Sequence, residues 1–332
     1  MGYWKYSEEG IKTIKEVAAS LDKNKIIKSV NETNIKSSMN FAHSFWSKPL
    51  FNNKFNDIKE SVAITLVDYA LSVDYLHKNG YEVTLYTDKE GAELLSVIPY
   101  DKVVIVDNYI TDNWHFAASI KFVALEQMPL GDVLIDGDMF LTKGRIYGEI
   151  ASSTADLTCS FFEPYEKDAP AGVLKYKPLF DYLDECDLQE PFKSKTRSEF
   201  NGWYNTSLIR FQNQELKDAW IKQYKDHVAL VENKEFPTKV WPDVILEQLH
   251  LTHMITEDQV KCIVPKDIYY TPEREDYCNK IGFTHLGIAK KVQHNNCVRL
   301  LYKQNKELFL KINDFIRTYG ENYLHKTVEN AG

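Results

Sequence analysis

Apolar positions in the first half of the chain change repeatedly between helical and strand spacing. Between residues 60 and 78 they recur at helical intervals, which predicts a helix that ends at Asn79-Gly80. Asp88 can cap another short helix, which runs to Leu95. Strands are predicted at residues 39–46, 81–87, 102–106 and 133–135, and a further helix at residues 114–126. This alternation is typical of a parallel sheet with crossover helices.

The second half of the chain continues the α/β pattern. Strands are predicted at residues 157–162, 208–209 and 262–264, and helices at residues 177–186, 216–231, 241–251 and 308–319. Residues 1–38 are polar and rich in lysine with a modest helical pattern, so we expect an N-terminal helical extension outside the core. Met39 opens a more apolar stretch. The main domain is therefore predicted at residues 39–325, with residues 296–325 as a C-terminal helix.

Two aspartates follow the strand predicted at residues 133–135, in the sequence Asp136-Gly137-Asp138. An unpaired charge is costly to bury, and the flanking residues are apolar, so this pair indicates a ligand site. The glycine lets the backbone bend, so that both carboxylates can turn toward one point. Such a pair at a strand end suits a hard divalent cation that keeps positions open for phosphate oxygens. The alternative is an acidic turn exposed to water.

Composition narrows the class of protein. A formal charge of −8 argues against a general nucleic-acid binder. No apolar run has membrane-spanning length and the N-terminus lacks a signal-peptide core, so we expect a cytoplasmic protein, with peripheral membrane association left open. Five scattered cysteines without a CxxC pair indicate reduced thiols, not a zinc site or a disulfide framework. The chain contains neither a GxGxxG fingerprint nor a P-loop motif.

Four short motifs, taken in order, resemble the GT-A glycosyltransferases, and most closely the glycogenin-like and related bacterial sugar transferases. They are the strand ending in Asp136-Gly137-Asp138, the strand motif Asn205-Thr206-Ser207, the helix start Trp241-Pro242-Asp243, and His285-x-Gly287-x-x-Lys290. The resemblance covers roughly residues 40–295, with matches in these blocks.

The resemblance implies an α/β GT-A fold with a mostly parallel central sheet flanked by helices. Residues 39–141 would form the nucleotide-binding half, and residues 142–295 the sugar and acceptor half. The implied activity is metal-dependent transfer of a sugar from a nucleotide-sugar donor to a glycan or lipid-linked acceptor in bacterial polysaccharide synthesis. Similarity to the glycogenin-like group favours retention of configuration at the sugar.

The resemblance also implies a metal and phosphate site. Asp136 and Asp138 would hold Mn²⁺ or Mg²⁺ on the donor diphosphate, with His285 as the third protein ligand. Lys290 or Lys291 would contact the diphosphate. The diphosphate leaves with developing negative charge, which a metal ion and a lysine stabilise. The alternatives are a structural histidine and a solvated pair of surface lysines.

Other proposed site residues lie elsewhere in the chain. Asn205 and Asp243 would face the sugar and the acceptor as catalytic residues, although Asn205 can also cap a turn. Lys48 follows the first predicted strand and is a further donor-binding candidate, because ligands lie at strand ends in open α/β sheets. The chain departs from the family pattern at Ser207, where glycine is usual, and at Val244, where glutamine is usual. The family's Pro-Trp pair is also missing after the late lysines.

The sequence is also compatible with two other classes of protein. A phosphatase of the haloacid-dehalogenase type has an apolar strand followed by a similar aspartate pair. That family expects the pair early in the chain and Thr or Val at the position of Phe140, and neither expectation is met. The second alternative is a catalytically inactive protein that binds a nucleotide-sugar.

Overall fold

The computed structural model describes residues 39–52, 58–164, 202–233, 245–268 and 273–329, which form a mixed α/β fold. Its strands are β1 (Phe41–Phe45), β2 (Val83–Thr87), β3 (Lys102–Ile105), β4 (Val133–Ile135), β5 (Met139–Leu141), β6 (Leu157–Pro164), β7 (Gly202–Phe211), β8 (Val260–Cys262) and β9 (Phe283–His285). Its α-helices are α1 (Ser47–Asn52), α2 (Ile58–Lys78), α3 (Lys89–Leu94), α4 (Ser119–Gln127), α5 (Gly144–Ala151), α6 (Gln214–Val231), α7 (His250–Met254), α8 (Glu273–Ile281), α9 (Lys290–Gln304) and α10 (Lys306–Glu329). A π-helical turn covers Ile245–Leu249, and 3₁₀ turns cover Glu257–Gln259, Lys266–Ile268 and Gly287–Ala289.

A seven-stranded sheet in the order β3-β2-β1-β4-β7-β6-β8 forms the centre of the fold. Its strands run in one direction except β7, which is antiparallel to both of its neighbours. The predicted mostly parallel sheet flanked by helices is thus confirmed. The chain passes from β1 to β2 and β3, then returns to β4 on the other side of β1. This reversal creates a topological switch point between β1 and β4, where open α/β sheets bind ligands at the carboxyl ends of the strands.

Strand β4 is buried because the sheet is covered on both faces. Val133 and Ile135 pack in a core cluster with residues of α2, α9 and α10. Leu134 faces the opposite cluster, which contains residues of α4 and α6. Burial on both faces explains why this strand is a continuous apolar run instead of an alternating one.

A small second sheet pairs β5 with β9 in antiparallel orientation. Met139 lies opposite His285, so the late histidine is held directly beside the residue that follows Asp138. The backbone N–H of Leu286 donates to the carbonyl of Asp138 at 3.1 Å and extends this contact. Strand periodicity did not predict this pairing, because each strand has only three residues.

Several predicted elements are confirmed, and others need corrected bounds. The helix predicted at residues 60–78 is α2, and the Asp88 carboxylate caps α3 by accepting from the Gly91 N–H at 2.9 Å. The helix predicted from residue 114 begins at Ser119. The strand predicted at residues 208–209 extends over Gly202–Phe211, because its polar first half pairs with β6.

The C-terminal region also differs from the predicted single helix at residues 296–325. It contains α9, which begins at Lys290, and then α10. The two are separated at Asn305, whose side chain accepts from the Leu308 N–H at 3.1 Å. The predictions for residues 1–38, residues 177–186 and the start of the helix at residue 241 lie outside the described residues. Among the described helices, none has both the length and the apolar content needed to cross a membrane.

Candidate metal centre

The segment Asp136-Gly137-Asp138 connects β4 to β5 at the carboxyl edge of the sheet. The Asp136 N–H donates to the carbonyl of Ser207 on β7 at 2.7 Å, which continues the pairing of the two strands. A Cβ atom on residue 137 would lie 2.2 Å from the ring of Tyr69. The Tyr69 hydroxyl donates to the Ser44 carbonyl at 2.9 Å, so the ring is held against β1. The close packing of this segment against the Tyr69 ring therefore requires glycine between the two aspartates.

Asp136, Asp138 and His285 converge at this edge, with one ligand atom of each within 4.8 Å of the others. Asp138 is buried, whereas Asp136 and His285 are half-buried and leave the cluster open on one side. Carboxylate oxygens suit Mg²⁺ and Mn²⁺, and an imidazole nitrogen is better tolerated by Mn²⁺. The donor set thus fits the divalent ions expected from the sequence.

Three groups that favour negative charge surround the Asp138 carboxylate. Its Oδ2 atom accepts from the Gly287 N–H at 2.9 Å and lies 3.2 Å from Lys290 Nζ and 3.7 Å from His285 Nε2. Burial opposes ionisation, but Lys290 and His285 outweigh it and hold the pKa of Asp138 below its ordinary value. The Lys290 side chain is 48% exposed, and partial desolvation of its ammonium opposes the charged form, but Asp138 and Asp136 raise its pKa. Both groups are therefore charged at neutral pH.

A second lysine neutralises the other aspartate. Lys121 of α4 is buried, and its ammonium lies 3.1 Å from Asp136 Oδ1 and 2.6 Å from Glu247 Oε1. The third partner is the Thr206 carbonyl at 3.2 Å, and the Thr206 hydroxyl donates to Glu247. Burial disfavours the ammonium, yet Asp136 and Glu247 raise the pKa of Lys121. This network connects Asp136 to the π-helical turn.

A family model described as a family of unknown function (DUF6734) matches residues 39–329. The chain belongs to this family. Comparison of the sequence with curated proteins finds no match. The matched region contains the whole of the Asp136, Asp138 and His285 cluster, as well as its two lysines.

In this DUF6734 member, Asn205 lies on β7 at the same sheet edge and is buried. Its Oδ1 atom accepts from the Ser207 N–H at 3.0 Å and from the Ser207 hydroxyl at 2.5 Å. Its amide nitrogen donates to Glu163 Oε1 at 3.3 Å. The Ser207 hydroxyl also contacts that of Ser160 at 2.6 Å. Asn205 therefore links the adjoining parts of β6 and β7.

The structure separates the lysines that the sequence could not distinguish. Lys290 contacts Asp138, whereas Lys291 pairs with Glu60 of α2 at 2.6 Å. Lys48 lies on α1 and pairs with Asp112 at 2.9 Å. Asp243 lies outside the described residues.

Sequence reasoning missed Lys121 and Glu247, although both belong to the buried network around Asp136. A weak signal for Lys121 was present, because it stands between Ile120 and Phe122 in a mostly apolar helix. A charge in such a helix needs a buried partner. Its partner is 126 positions away in the chain, so no local pattern indicated it.

Proposed function

We propose that this protein is a metal-dependent glycosyltransferase that moves a sugar from a nucleotide-sugar donor to a hydroxyl of a glycan or lipid-linked acceptor. The observation that carries the proposal is the convergence of Asp136, Asp138 and His285 beside Lys290, at the switch point of the sheet. Metal ligands and a cation at one sheet edge are what a diphosphate-containing donor requires. A role in bacterial polysaccharide synthesis rests on the sequence resemblance alone.

In this proposal, Asp136, Asp138 and His285 hold Mn²⁺ or Mg²⁺ against the donor diphosphate. The ion supplies positive charge that stabilises the leaving diphosphate. Lys290, whose ammonium contacts Asp138, adds a second positive charge to the same oxygens. Lys121 keeps Asp136 in place through the buried contacts with Glu247 and Thr206.

We further propose that the sheet is that of a GT-A fold, with residues 39–141 as the nucleotide-binding half and residues 142–295 as the sugar and acceptor half. The strand order supports this division, because β1 to β4 come from the first half and are contiguous in the sheet, whereas β7, β6 and β8 come from the second half and follow beyond β4. Asn205 and Asp243 are proposed to face the sugar and acceptor, and Lys48 the donor. Glu163 extends the polar surface beside Asn205 through their hydrogen bond.

The decisive test is slow release of nucleotide from UDP-, GDP- and CMP-sugars in the presence of Mn²⁺. We expect the wild-type protein to release nucleotide from one donor class and Asp138→Asn to reduce that rate on the order of 10²–10³-fold, since a principal charge-stabilising group is lost. Asn retains an acceptor for the Gly287 N–H, so the fold should persist. The matched control is Asp314→Asn on α10, where the aspartate pairs with Arg317 at the surface.

Measurements of phosphate release and of donor binding under the same conditions distinguish the alternatives. Phosphate release that does not depend on the nucleotide would favour the phosphatase. If the protein binds a nucleotide-sugar in the presence of Mn²⁺ but does not turn it over with any of the acceptors tested, the result would favour the inactive binding protein. Full Mn²⁺-dependent donor binding by Asp138→Asn would refute the proposed metal site.

A further inference from the structure

Two cysteines from distant parts of the chain lie side by side on neighbouring strands. Cys159 on β6 is directly opposite Cys262 on the parallel strand β8, and the two Sγ atoms are 3.7 Å apart. The Ile263 N–H donates to the Cys159 carbonyl at 2.9 Å and continues the pairing just beyond Cys262. Residues in direct register point to the same face of a sheet, so both thiols share one side.

The backbone spacing at this pair suits a covalent link. Neighbouring strands lie about 4.8 Å apart, within the Cα separation of roughly 4.4–6.8 Å found in disulfides. Bond formation needs the sulfur atoms to approach from 3.7 Å to about 2.05 Å. Strand β8 can accommodate this approach, because it has three residues and stands at the edge of the sheet.

The two thiols differ in access to solvent. Cys159 is fully buried, and burial raises the pKa of its thiol. Cys262 is partly exposed and is therefore the cysteine that a small reagent can reach first. Thiol–disulfide exchange needs an accessible attacking thiol, which Cys262 provides, and a second thiol in contact with it, which Cys159 provides.

We propose that Cys159 and Cys262 form a disulfide bond when the protein meets a small-molecule disulfide such as oxidised glutathione. The Cys262 thiolate attacks one sulfur of the reagent, forms a mixed disulfide and releases the first reduced thiol. The Cys159 thiol then gives up its proton and attacks the Cys262 sulfur, which releases the second thiol. Two protein thiols are oxidised and one reagent disulfide is reduced to two thiols, so atoms and electrons balance.

The bond would join positions 103 residues apart and attach the edge strand β8 to the interior of the sheet. Cys159 also precedes Ser160, whose hydroxyl accepts from the Leu208 N–H at 2.8 Å and contacts Ser207. The link would therefore restrain the strand that supports Ser207 and Asn205. This inference does not depend on the proposed transferase activity.

The test uses the full chain, equilibrated with mixtures of oxidised and reduced glutathione, trapped with an alkylating reagent, digested without reduction and analysed by mass spectrometry. We expect a peptide pair linked through Cys159 and Cys262 to become the main form of both residues as the buffer becomes more oxidising. Cys262→Ser and Cys159→Ser should each abolish that linked pair. Cys278→Ser is the matched control and should leave it intact.

Two results would overturn the proposal. The first is that, at the most oxidising ratio of oxidised to reduced glutathione, both wild-type thiols are still reduced and are therefore alkylated, or Cys262 carries only glutathione. The other is linkage of Cys159 or Cys262 to the remaining cysteines at similar yield, which would indicate random pairing. Both readouts come from the wild-type chain, so they hold even if a serine variant fails to fold.

Discussion

At the scale of single residues, two adjacent lysines have different partners, and this difference can be measured. Lys290 contacts buried Asp138, whereas Lys291 pairs with Glu60 at the surface. We expect Lys290→Met to weaken nucleotide-sugar binding in Mn²⁺ by about 10- to 100-fold, because a charged hydrogen bond contributes about 1.5–3 kcal/mol. The same change should strengthen binding of Mn²⁺ alone, because an ammonium no longer competes for Asp138. Calorimetric titrations check both effects.

Lys291→Met is the matched control for this experiment. It removes the same charge one residue away, so it should leave the affinity for Mn²⁺ and for the nucleotide-sugar nearly unchanged. Equal effects of the two substitutions would mean that general surface charge, and not contact with Asp138, governs binding.

His43 is a buried histidine that hydrogen bonds hold in place within the core. It lies on β1 close to the site, but its ring is fully buried between the Tyr100 and Ser72 hydroxyls, at 2.9 Å and 3.0 Å. Burial lowers the pKa of His43 from 6.5 to about 3, although Asp138 acts in the opposite direction. The folded protein therefore keeps this imidazole neutral.

The lowered pKa of His43 predicts a loss of stability in acid. The unfolded chain takes up a proton below its pKa of 6.5, whereas the folded chain does so only near 3, so stability falls over that window. His43→Gln should destabilise the protein at pH 7. The difference in unfolding free energy from wild type should shrink by about 1.4 kcal/mol per pH unit below pH 6. Urea unfolding of both proteins at several pH values measures this difference in free energy. A difference that does not change with pH would contradict a lowered pKa for His43.

At the scale of elements, the short pair β5–β9 determines whether His285 reaches the aspartates. Gly282 leads into β9 with a φ of +85°, and a Cβ there would lie 2.6 Å from the backbone nitrogen of Lys143. Its carbonyl accepts from the Thr142 N–H at 2.7 Å, beside the end of β5. Glycine is thus needed both for the backbone angle and for the close approach of the two segments.

Gly282→Ala should therefore affect stability and metal binding together. We expect a cost of about 1–2 kcal/mol from the backbone angle and about 1–3 kcal/mol more from the clash, with weaker Mn²⁺ binding because β9 shifts. Gly80→Ala is the control, since Gly80 has a φ of +81° but, apart from its chain neighbours, no atom of the described residues lies within 4 Å of the added Cβ. It should lower only the free energy of unfolding. Unchanged Mn²⁺ affinity in Gly282→Ala would show that β9 does not position the ligand.

At the scale of the whole molecule, the described residues contain a seven-stranded sheet with a core on each face. The family match also begins at residue 39. We therefore expect a protein lacking residues 1–38 to fold with nearly the same free energy of unfolding and the same Mn²⁺ affinity as the full chain. Aggregation of the shortened protein, measured by light scattering, would show that residues 1–38 complete the core.

Much of the first half of the fold could be predicted from sequence, because α2, β2 and the Asp88 cap depend on neighbours a few positions apart. The strand predicted at residues 208–209 was too short, because the polar residues Asn205 and Ser207 also belong to the buried strand β7. Their hydrogen bonds to β6 and to each other offset the cost of burial. Those partners are not visible in a local hydrophobic pattern.

The sequence by itself determined the alternation of strands and helices and the aspartate pair at the end of β4, because periodicity and turn chemistry act over a few residues. Only the tertiary structure decided that His285 lies beside Asp138, that Lys290 and not Lys291 contacts it, and that Lys121 pairs with Glu247. It alone also placed the Cys159 thiol beside that of Cys262. Each of these contacts connects positions more than 100 residues apart, whose separation is set by strand order and register in the folded sheets.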